Sequence, residues 1–115
     1  MKGTGYRDSA RIVSRLREQA FANSIHVTIH AHQEMVAENV SYDAVREVLF
    51  DAEVIENYPD HQRGPCCLLC GLASSRHPLH IVCTTSLDVV IIITVYEPKP
   101  PKWITPFQRG DRNEM

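Results

Sequence analysis

The chain has 115 residues, 43% of them apolar and 23% charged, with a formal net charge of −2. These figures suit a single domain, 1–115, able to bury one core, and they exclude wholesale disorder. No run approaches the roughly 18 apolar residues of a membrane span, and Met1 to Gly5 opens no hydrophobic leader, so the expected location is the cytoplasm.

Charge is unevenly spread. Residues 1–33 carry five basic and two acidic side chains, residues 34–60 carry Arg46 against eight acids, and residues 61–115 carry six basic and four acidic ones. The whole chain is no match for a polyanion, but its two ends could share a basic surface, or be ordinary solvated surface. Cys66, Cys67, Cys70 and Cys83 are read as thiols, since nothing points to an oxidising compartment.

From Asp8 to about Ala22, the spacing of Ile12, Leu16 and Ala20 predicts a helix with one apolar stripe, capped by Asp8 or Ser9. A second helix starts after Thr28 and ends at Asn39, a residue that tolerates the left-handed conformation of a helix terminator. Ser41 caps a third, whose inner face is Val45, Val48 and Leu49.

The period then changes. Val54 to Tyr58 predicts a strand stopped by Pro59, and Cys66 to Ala73 a second. After a turn at Ser74 to Pro78, Leu79 to Thr85 predicts a third, with Leu79, Ile81 and Cys83 on one face and His80, Val82 and Thr84 on the other. Val89 to Glu97 is apolar on both faces and is placed centrally. Pro98, Pro100 and Pro101 force an extended arm that Trp103 pins to the body, and the polar tail 108–115 frays. The fold expected is α+β, with two to three N-terminal helices on a curled four-stranded antiparallel sheet and a core over about 8–107.

Several pieces together resemble a bacterial family filed as domain of unknown function four-two-five-eight. They are Thr28-Ile29-His30-Ala31, Asn39-Val40-Ser41, Val54-Ile55-Glu56-Asn57-Tyr58-Pro59 and Gly64-Pro65-Cys66-Cys67-Leu68. Pro78-Leu79-His80-Ile81-Val82 and Ile93-Thr94-Val95-Tyr96-Glu97-Pro98, running on to Trp103, complete the set. The resemblance covers roughly 26–109. It implies the sheet-on-helices build of RelE-like and BrnT-like toxins, and an antitoxin partner that is often a small zinc-finger protein, as with MqsR-type toxins. Those toxins cleave messenger RNA without a metal, so the expected function is the toxin of a type II pair. The alternative is a non-catalytic protein-binding module of the same fold. Many members of the family carry Arg where this chain has Glu34, which weakens a phosphate-binding role for the second helix.

Metal-free RNA cleavage needs a base for the 2′-hydroxyl, cations for the phosphorane and an acid for the leaving oxygen. His30 and Glu34 share a helix face, so the carboxylate can orient the imidazole; the plainer reading has His30 bonding backbone or solvent. His80, mid-strand, either finds a buried partner or opens into a cleft. Tyr96 can set its hydroxyl beside His80 if the register allows. His30, His80 and Tyr96 are therefore the catalytic candidates. Arg63, Lys99, Lys102 and Arg109 are the candidates for RNA phosphate contacts, against a solubilising role. Cys67-x-x-Cys70 with Cys66, Cys83, His61 and His80 invites a zinc reading. Cys67 and Cys70 have opposite strand parity and face apart, so no metal and no cofactor is expected.

Overall fold

The structure, a computed structural model, describes residues 9–62, 64–73 and 77–110. Arg63, the Asp8 cap, the turn residues 74–76 and the last part of the tail, 111–115, lie outside the described residues.

Helix α1 (Ser9–Phe21) buries Ile12, Leu16, Gln19 and Ala20, the expected stripe. Gln19 is its one buried polar group, and its amide donates to the carbonyls of Leu87 (2.7 Å) and Asp88 (2.8 Å), tying the helix to the last turn of the sheet. Helix α2 (Ile29–Glu38) opens on Thr28, whose hydroxyl accepts from Ala31 N–H, and stops at Asn39 with φ 58°. Helix α3 (Tyr42–Asp51) opens in the same way on Ser41, with Asp43 in its first turn.

The sheet differs from expectation in one strand. Its order is β1 (Ile25–Val27), β5 (Val90–Tyr96), β4 (Pro78–Thr84), β3 (Cys66–Leu72), β2 (Glu53–Tyr58), five strands rather than four. Strands β2 to β5 form the expected antiparallel meander. β1 adds in parallel, pairing Ile25 with Val90 and Val27 with Ile92. Because of β1, the doubly apolar β5 lies inside the sheet rather than at its edge.

Where β1 gives way to α2, the outer edge of β5 continues without a neighbouring strand. Two carboxylates of α2 take over: Glu34 Oε1 accepts from Val95 N–H (2.8 Å) and Glu38 Oε1 from Glu97 N–H (3.1 Å). Residues four apart on a helix thus match N–H groups two apart on a strand. Glu34 is in use as an edge brace, which an Arg could not supply.

The helices cover one face of the sheet. Ile12, Leu16, Met35, Val48 and Leu49 meet Leu69, Ile81, Cys83, Ile92 and Val95 in one cluster. At Gly71 the close approach of α3 leaves no room for a Cβ, which would sit 2.9 Å from Val48 Cγ1. The tail departs from the expectation of fraying at 108. Trp103–Thr105 (β6) and Gln108–Arg109 (β7) form a two-stranded hairpin against the other face, with Trp103 buried. Among the described residues, no helix is long and apolar enough to cross a membrane.

Candidate functional site on the hairpin side of the sheet

Two bulges decide which side chains face the hairpin. In β2, Val54 pairs with Leu69 but Glu56 with Leu68, so Ile55 is an extra residue. A regular strand would put Val54, Glu56 and Tyr58 on one face. The bulge keeps Val54 against the core and turns Glu56 and Tyr58 toward the hairpin. In β5, Ile93 is extra in the same way, so that Ile92 faces the helices while Thr94 and Tyr96 face the hairpin with Val82 and His80.

His80 is directly opposite Tyr96. It is fully buried, which excludes the cleft reading of this side chain and leaves the buried-partner one. Its Nε2 lies 2.6 Å from the Pro106 carbonyl and its Nδ1 lies 3.0 Å from Tyr96 Oη. A carbonyl can only accept, so Nε2 carries the proton and Nδ1 accepts from the phenol. Both nitrogens are satisfied in the neutral ring, and burial pushes the His80 pKa down. Trp103 stands edge-on to the imidazole at 4.4 Å between centroids. The indole N–H has no acceptor in hydrogen-bond geometry, though it lies near enough to Tyr96 to oppose the upward push that burial gives that phenol.

Beside this buried set lies a half-exposed one. Arg109 Nε donates to Glu56 Oε2 (2.6 Å) and Nη2 to Glu56 Oε1 (2.9 Å), a two-pronged pair with side chains 33% and 26% exposed. The guanidinium lies 4.8 Å over the Trp103 ring. The Tyr58 hydroxyl bonds Glu56 as well, and burial followed by this carboxylate pushes its pKa up to about 12. The pair also raises the Arg109 pKa. A carboxylate, a permanent cation and a protonated phenol therefore meet at one partly open point.

The other candidates are placed apart from it. His30 is exposed on α2, with Nε2 3.3 Å from Glu34 Oε2, so the expected helix-face pair forms, but on the helix side of the sheet. Lys99 reaches Glu97 at 3.7 Å, and Lys102 is exposed on the arm. Arg109 alone of the described basic candidates joins the cluster. Glu56 and Tyr58 were not singled out from sequence, because strict alternation assigns them to the Val54 face. The four cysteines are free and buried, with Cys67 and Cys83 on the helix side and Cys70 opposite His80. Among the described residues, no group of three or more His, Cys, Asp or Glu is arranged to hold a metal ion.

No curated protein and no solved structure matches this chain. The family model described as Domain of unknown function (DUF4258) matches residues 27–97, well over half of the sequence and most of the sheet just described, and the protein belongs to that family.

Proposed function

We propose that the protein is a metal-independent endoribonuclease, the toxin of a toxin–antitoxin pair, with its chemistry at Glu56, Tyr58 and Arg109. The observation that carries this reading is the convergence of these three groups where they remain in reach of solvent. Glu56 takes the proton of a ribose 2′-hydroxyl, whose oxygen attacks the adjacent phosphorus. Arg109 uses two of its five N–H donors on Glu56, so others remain for the phosphorane oxygens. Tyr58, protonated throughout the neutral range, gives its proton to the departing 5′-oxygen. The products are a 2′,3′-cyclic phosphate and a 5′-hydroxyl, and Glu56 returns its proton to Tyr58 across their hydrogen bond.

In this reading His80 is a positioning residue. Its bonds to Tyr96 and to the Pro106 carbonyl hold the hairpin that carries Arg109. A neighbouring antitoxin, such as a small zinc-finger protein, is the partner proposed to silence the enzyme. The second reading, a non-catalytic protein-binding module, is favoured by the same ion pair, because a structural clamp also neutralises Arg109 with Glu56.

Expression in a bacterial host separates the two. Growth arrest by the wild type, relieved in Tyr58→Phe while the variant stays folded and soluble, supports the enzyme. Harmless expression of the wild type, or equal toxicity of Tyr58→Phe, overturns it.

A further inference from the structure

A cleft of about 420 Å³ opens where α2 hands over to α3, and it shares no lining residue with the Glu56 cluster. Its apolar lining includes Val40, Ala44 and Leu79, and two carboxylates, Glu38 and Glu97, stand at its rim with His77. Asn39 and Ser41, the helix stop and the next helix cap, fix the backbone along one wall, so the cleft is built into the fold. Glu97 is met there by His77 Nδ1 at 3.3 Å and by Lys99 Nζ at 3.7 Å, both long contacts from side chains more than 60% exposed. Such contacts hold a carboxylate weakly and are readily exchanged for a better cation. Glu38 Oε1 accepts from Glu97 N–H, and Glu38 is exposed at the rim.

An aliphatic lining under two carboxylates matches one chemistry, a side chain with an apolar stem and a cationic head. We propose that this cleft is a docking site for an arginine side chain of a partner protein. The stem lies along Val40, Ala44 and Leu79, and the guanidinium takes Glu97 in two-pronged fashion with Glu38 beside it, displacing Lys99 and His77. Charge complementarity carries the choice of occupant: the lining holds two carboxylates, Glu38 and Glu97, and no lysine or arginine. The inference stands apart from the ribonuclease reading and holds whether or not RNA is cleaved.

The test uses the full chain, labelled with nitrogen-15, and three probes: acetyl-Gly-Arg-Gly-amide, its citrulline counterpart, and spermidine. Expected are saturable shifts of the Val40, Ala44 and Leu79 amides with the arginine peptide, and binding about tenfold weaker for the uncharged citrulline peptide. E97Q and E38Q keep shape and, for E38Q, the bond to Glu97 N–H, and each is expected to weaken the arginine peptide about fivefold. An absence of saturable shifts, equal binding of citrulline, indifference to E97Q, or tighter binding of spermidine than of the peptide would each overturn the proposal.

Discussion

Replacing Trp103 with alanine tests how the hairpin is held. The indole is 1% exposed, and burying a ring of this kind removes roughly 200 Å² from water, or about 5 kcal/mol as an upper figure at ~25 cal/mol per Å². Truncations of buried aromatics cost about 3–5 kcal/mol. What remains to hold the hairpin is the His80 bond to Pro106, worth about 1 kcal/mol, and the half-exposed Arg109–Glu56 pair, worth about 1 kcal/mol or less. Keeping residues 103–109 ordered costs about 1 kcal/mol each in backbone entropy, so the hairpin of Trp103→Ala detaches before the rest of the domain unfolds. Thiol labelling reads this directly. Cys70 lies opposite His80 on the hairpin side, and burial holds its pKa up to about 11 in the wild type. In the variant Cys70 becomes reactive toward a disulfide reagent at pH 8, while Cys67 and Cys83, sealed on the helix side, stay protected. Peptide mapping of the labelled sites gives the answer. Labelling of Cys67, Cys70 and Cys83 at one rate, or of none of the four cysteines, would show that the hairpin does not come away on its own.

Further outcomes follow from the same geometry. Glu34→Ala strips the acceptor from Val95 N–H and costs about 1 kcal/mol in thermal or urea unfolding, whereas Glu34→Gln keeps most of it. Gly71→Ala pushes a methyl into Val48 and loses about 1–3 kcal/mol, measured by the same methods. The folded pKa of His80 is lowered, so the unfolded chain takes up this proton first as pH falls. The stability due to neutral His80 is therefore complete above the ordinary value of about 6.5 and declines below it, by at most ~1.4 kcal/mol per pH unit. Urea midpoints at pH 7.5 and 5.5 should show this decline in the wild type and much less of it in His80→Phe; equal slopes would count against the buried neutral ring.

Much of the frame was readable from residue pattern. The Ile12–Leu16–Ala20 stripe, the Thr28 and Ser41 caps and the Asn39 stop each rest on local chemistry and appear where expected. The alternation of Leu79, Ile81 and Cys83 against His80 and Val82 also holds, and with it the contact of His80 with Tyr96. β1 was not readable, because Ile25-His26-Val27 is too short to show a period and its place depends on a parallel partner 65 residues on. The hairpin was hidden because prolines and polar residues signal an arm, while its attachment comes from Trp103 and Arg109 finding the sheet. Glu56 and Tyr58 were missed for a sharper reason. A bulge changes strand parity, and alternation read along Val54 to Tyr58 puts both on the wrong face. Arg109, which joins the cluster, is legible as a phosphate contact from its charge and its place after the stiff proline segment, whereas its acidic partner 53 residues away lies beyond any local rule.

The most direct measurement is cleavage of an end-labelled RNA by the purified protein in excess chelator, comparing wild type with Glu56→Gln. Wild type is expected to leave 2′,3′-cyclic phosphate ends and to spare any linkage whose 2′-hydroxyl has been removed, and Glu56→Gln to be slower by about a hundredfold or more. RNA left intact by the wild type, or cut as fast by Glu56→Gln, contradicts the account.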